Sequence, residues 1–507
     1  MNLSRISTLV LLTGLGLVLT STVASGCGSD ADNGFPDPPG PDDASIDNSN
    51  GFGDGSLGDG KGCVNLECNR VSCPTTGATT SLHGVVRDPK GAHPLFNALV
   101  YIANAPVEPF DPNAPVTCEQ CAKASGSPIN QVLTGADGVF DLTNIPAGVD
   151  FTLVIQLGKW RRQVPIPAVT ACTKRDLEKE PGFAAKTRLP SKKSDGDIPK
   201  MAIATGGADS FECLLRKIGI ADEEFTVPSQ NGRVHYYQSY LGRPLRDSKP
   251  AAPNGKTLWS DESKLKKYDM VLLPCEKTPD NKDKGENAQT ADGYKNVEQY
   301  VDSGGRLFVT HYSYTWLNNP VNDPDLKFKA VANWQRNEND RNDKDGTIDK
   351  LLTHLDLTLA KGGEFPKGKA FADWLVNVGA SPEGRGTLRV DEWRHDVASV
   401  TNLSQQWIHA NTKDGWTDPK KATAAGAGPV TDHFTFNAPL DKAEDKKCGK
   451  VVYSDFHVTA GSVNAGSFPA ECKDEPMSPQ EAALEFMFFD LAACIQDEGE
   501  PPVPPIH

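Results

Sequence analysis

Met201-Ala-Ile-Ala-Thr205 is a short apolar run closed by Gly206-Gly207, and Phe211, Leu214, Leu215 and Ile218 then recur on one helical face. Asp209 or Ser210 stands where a helix N-cap is expected. The unit repeats downstream. Tyr268-Asp-Met-Val-Leu-Leu-Pro274 reads as a second buried strand, and Gly293 to Ser303 as a helix stopped by Gly304-Gly305. Arg306-Leu-Phe-Val-Thr-His311 reads as a third strand and Gly449-Lys-Val-Val-Tyr-Ser-Asp-Phe-His457 as a late one. Glu481 to Cys494 reads as a closing amphipathic helix. Short apolar strands alternating with helices predict a mostly parallel, doubly wound sheet covered on both faces.

Upstream the style changes. Between Thr79 and Val169 the pattern is strand and turn: Ser81 to Asp88, Pro94 to Ile102, Thr134 to Leu142 and Ile145 to Ile155. Alternating apolar positions with Gly or Asp-Gly connections suit a half-buried antiparallel sheet. The chain has 507 residues, too many for one ordinary core. The expected fold class is therefore multi-domain, an all-β sandwich followed by a doubly wound α/β sheet. The divisions are 1–27 signal, 28–62 tether, 63–175 Cys-rich sandwich, 176–198 linker, 199–497 α/β domain with an insertion near 318–353, and 498–507 disordered tail.

The amino terminus sets the compartment. Arg5 precedes an apolar run, Ile6 to Thr20, of about 15 residues, shorter than the roughly 20 of a membrane span. Val23-Ala-Ser-Gly-Cys27 follows it. This resembles a bacterial lipoprotein signal, which implies that Cys27 is lipidated and becomes the first mature residue. The other reading is an ordinary secretory signal cut near Ala24. Gly28, not Asp, follows Cys27, which fits an outer-membrane address in a Gram-negative cell. Gly28 to Gly62 holds eight Asp, no Glu and one Lys among Gly, Pro, Asn and Ser. Such a stretch buries too little apolar surface to fold and reads as an extended spacer. The expected partners are thus the membrane, through Cys27, and an envelope polysaccharide or protein. A net charge of −15 argues against nucleic acid, which selects basic surfaces.

Export makes disulfides the first reading of the cysteines. Cys63, Cys68, Cys73, Cys118, Cys121 and Cys172 lie early and are expected to staple the sandwich with three bridges. Cys118-Glu-Gln-Cys121 also has the spacing of a zinc knuckle or redox pair, but no His or second such pair sits at zinc spacing. Cys213, Cys275, Cys448, Cys472 and Cys494 lie late and are odd in number, and Cys275 is the candidate left unpaired.

The segments Gly84-Val-Val-Arg-Asp-Pro-Lys-Gly91, Ala98-Leu-Val-Tyr-Ile102, Asp137-Gly-Val-Phe140 and Pro146-Ala-Gly148 resemble the carboxypeptidase regulatory-like, transthyretin-like β-sandwich. That resemblance implies a spacer or adhesive unit. Some relatives bind starch-like sugars by ring stacking, and Trp160 and Tyr101 are the aromatic candidates for it here.

The order of strands and glycine turns from Pro199 to Asp490 resembles the class I glutamine amidotransferase-like, flavodoxin-like superfamily, closest to export-associated members found in myxobacterial lipoproteins. It implies a nucleophilic cysteine on a sharp turn after a central strand, which falls on Leu273-Pro-Cys275-Glu276-Lys277. Its thiolate would need a base and a carboxylate to orient that base. His457 is the candidate base, Asp455 or Glu276 the orienting group, and His311 ends a neighbouring strand. The family's elbow is Gly-x-Cys-x-Gly, whereas Leu273 and Lys277 flank Cys275 here. The expectation is therefore a non-catalytic binding or structural module, with a cysteine-dependent hydrolase or amidotransferase-like enzyme as the alternative.

No cofactor or metal is expected. Gly255-Lys-Thr257 lacks the glycine of a phosphate loop, because position 250 is Pro. Asp343 to Asp349 lacks two oxygen ligands of a calcium loop, with Arg341 and Leu352 at their positions.

Overall fold

Alternation along each strand decides which layer its side chains enter. A computed structural model describes residues 62–505 except 280, 322, 335–350, 392–393, 395, 411–429 and 462–465. The signal with Cys27, residues 28–61 of the tether and the Asp343–Asp349 loop lie outside the described residues.

Residues 81–176 form seven strands: β1 (Ser81–Val85), β2 (Leu99–Ala103), β3 (Pro128–Leu133), β4 (Val139–Thr143), β5 (Phe151–Leu157), β6 (Trp160–Ile166) and β7 (Lys174–Asp176). They make two sheets, ordered β4-β1-β7 and β3-β2-β5-β6. Leu82, Phe140 and Leu142 of the first gather with Val100, Ile102, Leu153 and Ile155 of the second in one apolar cluster. Tyr101 and Trp160 are both 0% exposed, so neither offers a ring face to a sugar.

The remaining strands are β8 (Met201–Thr205), β9 (Phe225–Thr226), β10 (Val234–Gln238), β11 (Met270–Leu273), β12 (Arg306–Thr310), β13 (Ala332–Trp334), β14 (Leu351–Leu355), β15 (Thr387–Val390), β16 (Val397–Val400), β17 (Gln405–Ala410), β18 (Val430–Ala438) and β19 (Gly449–Ser454). Ten of them form one sheet in the order β15-β14-β17-β18-β19-β12-β11-β8-β10-β9. From β19 to β9 every neighbour is parallel. Counted from β8, the strands β10-β8-β11-β12-β19 run 2-1-3-4-5, a doubly wound order. An antiparallel wing of β18, β17, β14 and β15 extends the sheet beyond β19.

Met201, Ile203, Met270, Leu272, Phe308 and Val452 point to one side, among the helices Phe211–Ile218 and Pro479–Ala492. Ala202, Ala204, Val271, Leu273, Leu307, Val309 and Val451 point to the other, against Tyr294, Val297, Tyr300 and Val301 of the helix Ala291–Asp302. Both faces of the parallel strands are thus covered, as their unbroken apolar runs require.

The last helix corrects an expectation. Ser478 and Glu481 close a capping box at its start, but the helix is buried all round rather than amphipathic. It lies between the two sets of sheets. Phe489 meets Trp160 at 6.1 Å and Phe486 meets Phe96 at 5.8 Å, both of those partners lying within residues 81–176. A helix apolar on every side belongs inside a core. Residues 62–507 accordingly cluster as one compact unit, and a single apolar cluster runs from β1 to the last helix.

The linker and tail also differ from expectation. Leu177, Leu189 and Ile198 within 176–198 are core residues. Glu498 of the expected disordered tail pairs with Lys450 at 3.2 Å and Lys367 at 3.4 Å, where two buried ammonium groups need carboxylates.

Ten cysteines lie in five disulfides: Cys63–Cys68, Cys73–Cys172, Cys118–Cys448, Cys121–Cys494 and Cys213–Cys472. The early six therefore supply two bridges among themselves, not three. Cys118 and Cys121 reach across to the α/β half because the loop carrying them is held against it. In that loop Val116 N–H donates to Lys266 O, and Gln120 O accepts from Ile495 N–H. Cys275 is unpaired and buried. Among the described residues no helix is long and apolar enough to cross a membrane.

Candidate functional site

Parallel strands end at a common edge, so the residues just after β8, β10, β11, β12 and β19 converge. These are Asp209, Ser239, Cys275, His311 and His457 with their neighbours. β8 and β11 flank the point where the strand order reverses, the usual ligand crevice of such sheets.

The turn after β11 is tight. Gly206 passes so close that a Cβ there would lie 2.2 Å from the Cys275 carbonyl oxygen. That carbonyl accepts from the Ala208 and Asp209 N–H groups at 3.2 and 3.4 Å. Lys277 has φ +72°, a left-handed conformation, at the place of the elbow's second glycine. At this turn Gly206 supplies the close approach and Lys277 carries the strain. His311 is strained as well, with φ +36°.

Cys275 Sγ lies 3.4 Å from His311 Nδ1. One ligand atom each from Cys275, His311 and His457 fall within 4.8 Å of one another, and all three residues are buried. His311 Nε2 faces Asp396 Oδ2 at 3.5 Å. His457 Nδ1 lies 2.5 Å from Asp209 Oδ1. Asp209 also accepts from Val458 N–H at 3.1 Å and, on its other oxygen, from the Thr310 hydroxyl. Thr310 Oγ1 in turn accepts from Cys275 N–H at 2.9 Å. Burial, with the negative charge of Asp209 nearby, pushes the Cys275 thiol well above its ordinary value.

The sequence-derived site is thus partly assembled and partly rearranged. Cys275, His311 and His457 come together. The imidazole within hydrogen-bond distance of the sulfur is that of His311 rather than His457. Glu276 does not orient a histidine, because it accepts from Ser239 Oγ and pairs with Lys284 Nζ at 2.6 Å. Asp455 does not either. It accepts from Tyr453 Oη at 2.8 Å and Asp396 N–H at 2.6 Å, and burial beside Asp396 holds its pKa well above the carboxylate range. The orienting carboxylates are Asp209 and Asp396. The first carried a sequence signal as a helix cap, yet Ser210 is the N-cap residue and Asp209 turns to His457. The second carried none.

Chemically the arrangement can pass a proton from Cys275 to His311, or it can offer sulfur and two imidazoles to one soft cation. No family model matches the chain, and no curated protein does. Among solved structures, a crystal structure of a ThuA-like protein from Bacteroides uniformis aligns with 57% of this chain and 89% of its own, at 11% identity and TM-score 0.25. The fold therefore rests on the strand order above.

Proposed function

We propose that the chain is exported, anchored through an acylated Cys27, and acts at the cell envelope, in an outer membrane, as a binding module rather than a turnover enzyme. In this reading residues 63–175 form a transthyretin-like sandwich, and residues 199–497 a divergent amidotransferase-like, flavodoxin-like domain. The 2-1-3-4-5 strand order and the seven-stranded pair of sheets support it. The carrying observation is at the sheet edge, where Cys275 is 0% exposed and burial disfavours its thiolate. A nucleophile needs the opposite: access, and a lowered pKa. With Tyr101 and Trp160 buried, an envelope protein is a better ligand than a stacked polysaccharide. Alkylation by iodoacetamide tests the reading. Cys275 in the native, oxidised protein stays unmodified until the chain is unfolded. Rapid native alkylation, with a rate that titrates below the free-thiol pKa, overturns it.

A specific observation favours a second reading, a cysteine-dependent hydrolase or amidotransferase-like enzyme. The Cys275–His311–Asp396 line, at 3.4 and 3.5 Å, has the order of nucleophile, base and orienting carboxylate. There His311 Nδ1 takes the thiol proton, the sulfur attacks the carbonyl carbon of an amide or ester, and the imidazolium, steadied by Asp396, returns the proton to the amine or alcohol that leaves as the C–N or C–O bond breaks. The same alkylation experiment separates the two.

A further inference from the structure

A nucleophile–base–carboxylate line leaves one group without a purpose: His457, buried beside Cys275 and His311 and held by its own carboxylate. We propose that Cys275, His311 and His457 bind one zinc-class divalent cation at the carboxyl edge of the parallel sheet.

Three observations carry this. First, the donors converge: one ring nitrogen from each histidine and Cys275 Sγ lie within 4.8 Å of one another. A tetrahedral centre with Zn–S near 2.3 Å and Zn–N near 2.0–2.1 Å sets sulfur and nitrogen about 3.5 Å apart. Cys275 Sγ and His311 Nδ1 stand at 3.4 Å.

Second, each histidine has a carboxylate on one ring nitrogen. Asp209 takes His457 Nδ1 and Asp396 faces His311 Nε2, and the proposal assigns the other nitrogen of each ring to the centre. Metal-bound histidines show this pattern, because the outer carboxylate fixes the ring and raises the basicity of the inner nitrogen.

Third, the ligands come from three adjacent parallel strands, β11, β12 and β19, and their supports are linked. Thr310 holds Cys275 N–H and donates to Asp209, which holds His457. The donor set is thereby fixed before a cation arrives.

Charge agrees. A thiolate, the buried carboxylate of Asp209 and the half-buried one of Asp396 around two neutral imidazoles favour a dication. Binding releases the thiol proton to solvent and forms the metal–sulfur bond, with no redox change. One thiolate and two imidazoles suit zinc, cobalt, nickel or copper better than calcium or magnesium. Three protein donors leave a fourth position for a donor atom from water or a ligand. It also gives the one unpaired cysteine among the described residues a role in a chain whose other described cysteines are oxidised.

The inference deepens the binding-module reading of this edge, and its experiment is independent of alkylation. The full chain, disulfides intact and stripped by chelator, is titrated with Co²⁺ alone. Expected is a one-to-one endpoint with a sulfur-to-cobalt charge-transfer band and tetrahedral d–d bands, both displaced by Zn²⁺. The charge-transfer band disappears in Cys275→Ser, and Asp209→Asn weakens affinity about 10–100-fold. Because variants at this edge can misfold, the wild-type melting temperature is read in parallel and rises with Zn²⁺. A folded wild-type chain with no sulfur band, or a band that survives in folded Cys275→Ser, overturns the site. Inert Cys275 with no cobalt band would sink the cation and leave the binding-module reading standing.

Discussion

Asp209 Oδ1 lies 2.5 Å from His457 Nδ1 across 248 residues of sequence, joining the turn after the first strand of the parallel sheet to the end of its last. Both side chains are buried. Removing the Asp209 carboxylate leaves His457 Nδ1, Val458 N–H and the Thr310 hydroxyl without their buried acceptor. Asp209→Ala should therefore lose about 3–5 kcal/mol in urea unfolding, and Asp209→Asn, which keeps an acceptor oxygen, distinctly less. Equal losses would show that the carboxylate charge contributes nothing.

His93 and Glu485 make a second long-range contact, at 2.5 Å, between the β1–β2 connection and the last helix. Burial and the nearby charge of Glu485 raise Asp88 to about 8. Burial works against the charged form of His93, but the hydrogen bond and charge of Glu485 hold its pKa above the ordinary value. Both folded values are raised, so the native state binds more protons than the unfolded chain. The stability this gives is present below the unfolded values and lost as pH rises through about 8. The melting temperature of the wild type should fall between pH 6 and 9. In Asp88→Asn, which keeps the acceptor for Ala92 N–H, the fall should be smaller by about 2 °C or more. An unchanged pH slope would remove Asp88 as its source.

What the sequence disclosed follows the physics of each segment. The strands β8, β11, β12 and β19 were readable because parallel strands buried on both faces appear as apolar runs between glycine turns. The antiparallel wing was not. Val430-Thr-Asp-His-Phe-Thr-Phe-Asn-Ala438 alternates like a half-exposed strand, yet all nine residues are buried. Its polar alternates enter the interior; Thr435, for example, accepts from Trp407 Nε1 at 2.9 Å. The last helix departs from the amphipathic expectation for a related reason, since its second apolar face needs the strands of residues 81–176 as a partner, and periodicity within one segment does not name partners. At the site, Cys275, His311 and His457 were legible because strand ends share an edge. Asp396 was not, because a loop carboxylate has no spacing to betray it, and Asp209 was hidden behind the commoner role of a helix cap.

The bridges Cys118–Cys448 and Cys121–Cys494 span 330 and 373 residues. Cross-linking distant residues restricts the unfolded chain more than closing the five-residue separation of Cys63–Cys68. Peptide mapping without reduction should recover 118 joined to 448 and 121 joined to 494. Replacing Cys118 and Cys448 together by Ser should cost about 2–4 kcal/mol, and replacing Cys63 and Cys68 less. Mapping that finds Cys118 joined to Cys121 would refute the pairing.

The elbow gives the last prediction. The Cys275 turn needs two things that glycine usually supplies, close backbone approach and a left-handed residue two positions on. Here Gly206 provides the first from a neighbouring strand and Lys277 bears the second with φ +72°. A non-glycine residue in that conformation is strained by about 1–2 kcal/mol, while glycine loosens the unfolded chain by about 0.4–1 kcal/mol. Lys277→Gly should thus be neutral or up to about 1.6 kcal/mol more stable, and Lys277→Val, branched at Cβ, less stable than wild type. Gly206→Ala places a methyl 2.2 Å from the Cys275 carbonyl oxygen, and backbone cannot yield as a side-chain tip can. It should lose about 1–3 kcal/mol and expose Cys275 to alkylation, because the sulfur is buried only while that turn is held. A stable Gly206→Ala with Cys275 still inert would mean that the turn relaxes freely, and the elbow would then not be what positions the thiol against His311.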